Sequence, residues 1–462
     1  MTLTLSGQCP WAQRLAPLLE SAIDCVLHNV VPGRGPDEPM HYLRAGSGYP
    51  DPWTRDAAIN AWQAGAWMLP QVSADTLAMV CEPDGTAVTW DDQWWDQISW
   101  VLGTHMLAMV SGDPVEAARG LRIGAATLAR LDQRAFDWAT RLYCGPAVMA
   151  DGITGYPPAL HDPGRPEGSF VLDHAATHRI HCLSTNALYV RALHCLGDLA
   201  ALAGEQPEPW HRRADELAAR VASRFRTSPD EPFGYLIADG RLSGEQEGLG
   251  VALAILAGVV GGPDAAGVVA GVCEAPAGLP AVWPHFPGYD DQRFGRHGAA
   301  VWPMIHGVWA QAVATTGDSA RFGADLERFC RLIEDSELAF FELYHPFSGD
   351  PDGGWQSGHQ WASEPDQTWS ASAFIGTVLY GLAGLRPGPD RLGFAPCLPP
   401  GTEAITLRGL NWRSSAFDLE LRGSGSHVER VLADGRDLDG PWLPAGETPR
   451  VVQVHCSPGP GR

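Results

Sequence analysis

One acidic residue, Glu342, stands in surroundings that suit chemistry better than a structural role. It follows the aromatic Phe341, precedes a loop containing Pro346 and Gly349, and has no helical pairing partner four residues away. A carboxylate among aromatic side chains is uncommon unless it is paired or functional. We therefore predict that Glu342 is a catalytic carboxylate, the alternative being a solvated side chain.

A second acidic residue, Asp151, lies in the glycine-rich segment 145–157 and is followed directly by Gly152. Glycines on either side let the backbone approach a ligand closely, and two carboxyl groups in one site can act as general acid and general base. The alternative is an ordinary Asp-Gly turn.

Tryptophan is frequent, with 18 residues, and several lie beside acidic residues in non-periodic segments. Indole rings cover the apolar faces of sugar rings, and carboxylates accept hydrogen bonds from sugar hydroxyls. Two such segments are 49–56, which contains Trp53, Arg55 and Asp56, and 91–96, which ends in Trp94, Trp95 and Asp96. Each Trp could instead pack in the core, and Asp56 is equally suited to capping a helix.

Three histidines, His174, His178 and His181, have a spacing that one face of a helix could use to bind zinc. Hydrogen bonds to sugar hydroxyls, or a structural role, are the favoured alternatives. The chain contains no lysine, which excludes lysine Schiff-base chemistry and a P-loop lysine. No G-x-S-x-G motif is present either. We predict no metal and no cofactor.

The composition argues against several classes of partner. A net charge of −22 disfavours nucleic acid, and no basic region followed by an apolar run precedes the first helix. The longest apolar stretch is too short to span a membrane, and ten scattered cysteines without a C-x-x-C pair are typical of reduced thiols. We expect a cytoplasmic protein without membrane contact, and the sequence leaves its oligomeric state open.

The elements that must position these residues are mostly helices. Apolar spacing predicts about a dozen, near 10–29, 55–69, 72–83, 92–110, 114–131, 182–203, 208–226, 246–260, 264–274, 298–316, 319–334 and 368–384. Short Gly-Asp or Gly-Glu connectors, as at Gly112 and Gly317, alternate with long irregular segments rich in Trp and His. This alternation predicts an all-α (α/α)6 toroid whose cleft lies on the side of the long loops.

The period changes near the end of the chain. Alternating apolar residues in 404–410, 416–421, 427–432 and 450–454 predict strands, and 386–402 is rich in Pro and Gly. We predict a helical catalytic domain over 1–385 and a small C-terminal β-sandwich domain over 386–462.

Several of the long-loop motifs resemble those of inverting glycoside hydrolases on the six-hairpin barrel, and the pattern is most similar to family 63 and its bacterial relatives of the mannosylglycerate hydrolase type. The resemblance covers roughly residues 45–385. Its motifs are Tyr49-Pro-Asp-Pro-Trp53-Thr-Arg55-Asp56, the 145–157 segment, Arg296-His297-Gly-Ala-Ala-Val-Trp302-Pro303, Glu342-Leu-Tyr344-His-Pro-Phe-Ser-Gly349 and Asp366-Gln367-Thr-Trp369-Ser370.

The resemblance implies an inverting exo-acting glycosidase on a small α-glycoside, with an α-glucoside as the expected substrate. Asp151 would be the general acid, with a pKa raised by burial beneath aromatic rings, and Glu342 the general base. The implied substrate-binding residues are Trp53, Arg55, Asp56, Trp94, Trp95, Asp96, Tyr156, His297, Trp302, Tyr344, Gln367 and Trp369. The alternatives are a sugar epimerase or polysaccharide lyase on the same toroid, using a histidine such as His297, and a non-catalytic carbohydrate-binding protein.

Overall fold

The computed structural model describes residues 3–33, 35, 40–88, 93–228 and 231–459. Its main helices are α1 (Pro10–His28), α2 (Thr54–Asn60, continued by a π-helical turn, Ala61–Gly65, and by Ala66–Met68), α3 (Pro70–Met79), α4 (Trp100–Ser111), α5 (Pro114–Ala135), α6 (Leu183–Ala203), α7 (Glu208–Arg224), α8 (Gly248–Leu256), α9 (Gly262–Gly271), α10 (Pro303–Thr315), α11 (Ser319–Asp335) and α12 (Thr368–Gly376, continued by the π-helical segment Thr377–Leu382). Each of the twelve predicted helices is present, with its ends shifted by up to eight residues.

Six of these helices contact one another in a closed ring. Helix α2 packs against α4, α4 against α6, α6 against α8, α8 against α10, α10 against α12, and α12 returns to α2. These helices are buried on nearly every face: all seven residues of Thr54–Asn60 in α2 are buried, and so is every residue from Pro303 to Ala314 in α10. A helix that is buried all round lies inside a larger protein. The remaining helices are outside this ring, and amphipathic α11, for example, packs its apolar face against α10.

The predicted connectors between paired helices take the expected conformations. Gly112, Gly204 and Gly317 have φ of 69°, 78° and 81°, a left-handed conformation that glycine adopts at low cost at a helix C-terminus. Asp113 then accepts a hydrogen bond from the Val115 amide and caps the next helix. Each of these short turns joins the C-terminus of a ring helix to the helix that follows it outside the ring, and a long connection then leads back to the ring.

The strands are short except near the end of the chain. They are β1 (Thr4–Ser6), β2 (Val30–Pro32), β3 (His41–Leu43), β4 (Phe136–Asp137), β5 (Leu142–Tyr143), β6 (His181–Cys182), β7 (Leu236–Ala238), β8 (Arg241–Leu242), β9 (Gln246–Glu247), β10 (Val282–Trp283), β11 (Trp355–Gln356), β12 (His359–Gln360), β13 (Leu385–Pro387), β14 (Arg391–Phe394), β15 (Ala404–Trp412), β16 (Ser415–Gly423), β17 (His427–Ala433), β18 (Arg436–Asp437), β19 (Trp442–Pro444) and β20 (Val451–Ser457).

The eight described strands after β12 lie in two sheets, and four of them, β15, β16, β17 and β20, lie where the alternating pattern predicts strands. One has the order β1-β15-β16-β20-β17-β18, and the other is β13-β14-β19. Strand β16 pairs in parallel with β20, and the other pairs in these sheets are antiparallel. The N-terminal strand Thr4–Ser6 joins the larger sheet through β15, a contact that the sequence did not predict. The division of the chain at residue 386 stays a prediction.

A buried carboxyl group, Glu247, supports the start of one ring helix. Its Oε2 accepts a hydrogen bond of 2.9 Å from the Ser184 amide in the first turn of α6. Burial raises the pKa of Glu247 to about 8 because the ionised form loses its hydration.

This shift predicts how the stability of the protein depends on pH. The folded state holds a proton on Glu247 that the unfolded state releases above its ordinary pKa, so the free energy of unfolding should fall as pH rises from about 4.5 towards about 8. Glu247→Gln should reduce this fall, and Glu205→Gln, at an exposed turn, should leave it unchanged. Urea denaturation of the three proteins at pH 5 and pH 8 measures the difference. An equal pH dependence in all three would refute the assignment.

Among the described residues, we find no helix that combines the length and the apolar composition needed to cross a membrane.

Candidate active site

A cavity of about 250 Å³ that opens to solvent brings together residues from most of the long connections. Both predicted catalytic carboxylates, Asp151 and Glu342, line it although they lie far apart in the sequence. The complete lining is Ala45, Tyr49, Trp53, Arg55, Asp56, Gln93, Asp151, Ser169, Phe170, Arg296, His297, Trp302, Glu342, Gln356, Trp361, Gln367 and Trp369. The size and the mixture of aromatic, acidic and basic side chains suit a small polar ligand.

Glu342 is held by a cation and a phenol. Arg296 donates a hydrogen bond of 2.6 Å from Nη2 to Oε2 of Glu342, and Tyr49 lies with its hydroxyl 3.4 Å from both carboxylate oxygens. The Glu342 side chain is only 7% exposed. Burial raises the pKa of Glu342, Arg296 opposes that rise, and the charge of Asp151 adds to it. The carboxylate is therefore oriented, and its basicity is higher than that of a solvated glutamate.

Asp151 contacts partners from three different segments. Arg55 Nη2 lies 3.2 Å and Gln93 Nε2 lies 3.5 Å from Oδ2, and the ring of His297 places Nε2 3.2 Å from Oδ1. The side chain is 29% exposed, and its open side faces the cavity. Gly152 is required next to it, because a Cβ there would lie 1.9 Å from Gln356 Oε1 and 2.2 Å from His297 Cδ2.

The pKa of Asp151 differs from the sequence-based expectation. Burial raises the pKa, as predicted. Arg55, through its charge and its hydrogen bond, and His297 lower the pKa by more than burial raises it, so the net shift is downward. The expectation that aromatic burial alone would keep this carboxyl protonated was wrong, because the arginine and histidine partners that lower its pKa come from distant parts of the chain.

Asp56 faces the cavity and does not cap its helix. The N-cap position of α2 is Trp53, which makes no side-chain capping bond, and Asp56 is the third residue of the helix. Burial raises the pKa of Asp56 to about 7; Arg55 opposes the rise, and the charges of Glu342 and Asp151 add to it. Three carboxyl groups, Asp56, Asp151 and Glu342, therefore share one cavity with two arginines, Arg55 and Arg296.

Arg55 connects the cavity to the packing behind it. Its Nη1 donates to Gln93 at 2.6 Å and to Asp96 at 2.8 Å, while Nη2 reaches Asp151. The guanidinium also lies 5.8 Å from the ring centroid of Trp369. Arg55 is thus a rigid bridge that fixes Asp151 relative to α2.

The predicted aromatic platforms occupy two levels of the cavity. Trp302 and Trp369 lie at its base, nearly fully buried, with ring centroids 5.9 Å apart in an edge-to-face arrangement. Trp53 is 37% exposed and lines the cavity nearer to solvent, as does Trp361 at 44%. A partly exposed indole can stack on a sugar ring and exclude water from one face of the ring.

Five predicted substrate-binding residues do not line the cavity; they are Trp94, Trp95, Asp96, Tyr156 and Tyr344. Trp94 stacks under Arg134 outside the cavity, and Asp96 is the buried partner of Arg55. These residues belong to the segments around the cavity, but their side chains turn towards the wall and away from the space that a ligand would fill.

Three of these wall residues brace the catalytic segments. The Tyr156 hydroxyl donates to the Ala150 carbonyl at 2.7 Å and accepts from the Ala147 amide at 2.8 Å. Trp95 Nε1 also donates to the Ala147 carbonyl. On the opposite side, the Tyr344 hydroxyl accepts from the amide of Phe341, next to Glu342. These bonds fix the backbone from which the two carboxyl groups project.

Sequence reasoning missed several cavity residues. Tyr49, Gln93 and Arg296 lie inside the predicted site motifs, so their place in those motifs could have identified them as cavity residues. Gln356 and Trp361 belong to the β11–β12 hairpin and its end, where no motif indicated a site. Asp91 and Asp92, which begin the predicted acidic motif, lie outside the described residues.

The three histidines with metal-like spacing are engaged separately. His174 Nε2 lies 3.2 Å from the Gly168 carbonyl, His178 Nε2 lies 2.9 Å from the Leu172 carbonyl, and His181 Nδ1 lies 3.2 Å from the Tyr143 carbonyl. Within the described part of the chain, one group of three potential metal ligands comes together, Asp137, Cys144 and His181. It contains neither His174 nor His178, so the three histidines do not come together as one set of ligands.

Comparison with known families identifies the class of protein. Residues 161–370, which include Glu342 but not Asp151, match the family described as the mannosylglycerate hydrolase MGH1-like glycoside hydrolase domain. The predicted resemblance and the predicted enzyme class are therefore confirmed: the chain is a glycoside hydrolase similar to family 63 enzymes. No curated protein sequence matches the chain.

Solved structures share the fold at low sequence identity. A family 63 mannosylglycerate hydrolase from Thermus thermophilus superposes with a TM-score of 0.56 at 16% identity, covering 78% of this chain and all of the other. A sialidase gives 0.69 at 15% identity, with 94% of this chain covered, and this chain spans 40% of the sialidase's length. A family 78 rhamnosidase from a Bacillus species gives 0.52 at 16% identity, with 98% and 44% covered.

Proposed function

We propose that the chain is an inverting, exo-acting hydrolase of small α-glycosides, with α-glucosides as the first substrates to test. The observation that carries the proposal is the presence of Asp151 and Glu342 on one cavity, each oriented by its own arginine. Inverting hydrolysis needs two carboxyl groups on opposite sides of the sugar, and no metal or cofactor.

The roles follow from the surroundings of each group. Glu342, buried and of raised pKa, accepts a proton from the attacking water. Asp151, whose open side faces the cavity, gives a proton to the leaving oxygen. Trp53 stacks on the sugar ring, while Asp56 and Gln367 hydrogen-bond its hydroxyls.

The fold supports this placement. In our proposal the ring of six helices is the inner layer of an (α/α)6 toroid, and the strands after residue 386 form a separate β-sandwich domain. The catalytic residues belong to the long connections at one end of the toroid, and the protein acts in the cytoplasm.

A panel of aryl α- and β-glycosides tests the hydrolytic part of this proposal. We expect release of the aryl group from an α-glycoside, and from short oligosaccharides removal of single terminal sugars. The absence of hydrolysis across gluco-, manno-, galacto- and rhamno-configured substrates would contradict it, as would products released only from within a chain. Chromatography that separates glucose, mannose and short oligosaccharides identifies the released products.

Asp56→Asn separates sugar binding from proton transfer. We expect KM to rise by about tenfold, because a neutral amide accepts weaker hydrogen bonds from sugar hydroxyls than a carboxylate. A smaller fall in kcat is expected where the contact strengthens in the transition state. Asp51→Asn, in the same motif but not lining the cavity, is the control. If Asp56→Asn changes neither parameter, Asp56 does not hold the sugar.

A further inference from the structure

The His297 ring touches Asp151, and its orientation is fixed on both sides. Its Nδ1 lies 3.1 Å from the carbonyl oxygen of Met149, and its Nε2 lies 3.2 Å from Oδ1 of Asp151. The ring is 4% exposed and packs 5.1 Å from the ring centroid of Trp302. A rotation of the ring would break both contacts.

The Met149 contact determines the tautomer. A carbonyl oxygen only accepts hydrogen bonds, so Nδ1 must carry a hydrogen. A neutral His297 then has a bare lone pair on Nε2. If Asp151 were ionised at the same time, two lone pairs would face each other across 3.2 Å. That arrangement is repulsive, and one proton between the two atoms makes it attractive.

The backbone around the ring is built to present this geometry. Met149 adopts φ of 72°, a left-handed conformation that is costly for a residue with a side chain. This conformation directs its carbonyl to Nδ1. Gly152, directly after Asp151, leaves the space that His297 Cδ2 fills. One left-handed backbone position and one absent side chain therefore accommodate the imidazole.

Nearby cations disfavour a proton between His297 and Asp151. Arg55 and Arg296 both disfavour a charged His297, and burial lowers its pKa to about 4, whereas Asp151 opposes the decrease. Arg55 and Arg296 likewise favour an ionised Asp151, while the carboxyl groups of Asp56 and Glu342 lie in the same cavity. These charges oppose a proton on either partner, whereas the two acceptor atoms that face each other across 3.2 Å oppose its loss, so the position of the proton is a property of the pair.

We propose that His297 and Asp151 share a single proton between Nε2 and Oδ1 in the substrate-free enzyme. His297 is a positioning residue. The use of the shared proton in catalysis, described next, rests on the proposed function. When a glycoside binds, the shared proton moves to the glycosidic oxygen as its bond to the anomeric carbon breaks. Water adds to that carbon and gives a proton to Glu342; Glu342 then releases this proton to solvent, and the pair takes up one proton from solvent.

Nitrogen-15 NMR of histidine-labelled protein tests the shared proton without any substrate. We expect a His297 signal, assigned by its loss in His297→Gln, with a hydrogen on Nδ1 and a partly protonated Nε2 between pH 6 and 8. In Asp151→Asn the amide group donates to Nε2, so this nitrogen should shift to the value of a neutral acceptor. His285, which pairs with the exposed Asp291 at 2.9 Å, is the reference in the same spectra.

Two NMR results would overturn the proposal. One is a His297 Nε2 that is already a neutral acceptor in the wild type and unchanged by Asp151→Asn. The other is a hydrogen on Nε2 with none on Nδ1. Neither depends on hydrolysis, so an enzyme that cleaves no glycoside but shows the shared proton would refute only the proposed function.

Kinetics test the positioning role in an enzyme that does hydrolyse glycosides. His297→Gln should lower kcat on a disaccharide by about 10²-fold and move the alkaline limb of the pH profile to lower pH. Glycosyl fluoride hydrolysis should fall by less than about tenfold, since fluoride leaves without a proton. Equal losses on both substrates with an unmoved alkaline limb would indicate a purely structural role and overturn this assignment.

Discussion

Glu342→Gln is expected to lower kcat/KM by about 10²–10⁴-fold on every substrate that the enzyme accepts, because an amide cannot take the proton of the attacking water. The loss should be as large for a glycosyl fluoride as for a disaccharide, since both reactions need an activated water. Steady-state kinetics on the two substrates measure the effect.

A neighbouring glutamate supplies the control for this variant. The Glu364 carbonyl accepts a hydrogen bond from the Glu342 amide, but Glu364 does not line the cavity, so Glu364→Gln should keep nearly full activity. Removing the charge of Glu342 leaves Arg296 buried with less compensation, so thermal unfolding must be compared. Near-native rates in a folded Glu342→Gln protein would remove Glu342 as the base.

Asp151→Asn is expected to discriminate between leaving groups. Hydrolysis of a disaccharide should fall by about 10²–10⁴-fold, because the departing sugar oxygen needs a proton. Hydrolysis of a glycosyl fluoride or a nitrophenyl glycoside should fall by less than about tenfold, since these groups leave as stable anions. The ratio of kcat/KM on the two classes, relative to wild type, is the measurement.

Asp173→Asn is the matched control for the acid. Asp173 lies in the neighbouring loop, pairs with Arg165 and does not line the cavity. It should retain wild-type rates on both classes of substrate. If Asp151→Asn instead retains the disaccharide rate, or if it loses both rates equally, Asp151 is not the proton donor to the leaving group.

Most of the helical architecture was predictable because it depends on spacing within single segments. Helix α11 repeats its apolar residues at Phe322, Leu326, Phe329 and Ile333, and all four are buried. The order of contacts around the ring was suggested by the Gly-Asp connectors. The pairing of Thr4–Ser6 with β15 was not predictable, since a three-residue strand has too little pattern to identify its partner.

The site was predictable where a motif carries its own chemistry, and less so where distant segments meet. Glu342, His297 and Asp56 line the cavity as expected. Trp94 and Tyr156 do not, because sequence alone cannot distinguish a residue that contacts a ligand from one that braces the wall behind it.

The direction of a pKa shift was the least accessible property. The pKa of Asp151 depends on the balance between burial, which raises it, and two neighbours that lower it, Arg55 and His297, which come from other segments. The sequence indicates burial and nothing about that balance. Partners that folding brings together decide such shifts, so only the three-dimensional arrangement gives their sign.

The configuration of the released sugar tests the central claim most directly. Hydrolysis of an α-glycoside by wild-type enzyme, followed by proton NMR within the first minutes, before mutarotation equilibrates the anomers, should give the β-anomer first. That result follows if Glu342 directs water to the face opposite the leaving group that Asp151 protonates. Initial release of the α-anomer would mean retention through a covalent intermediate and would contradict the assignment of these two carboxyl groups as acid and base of an inverting enzyme.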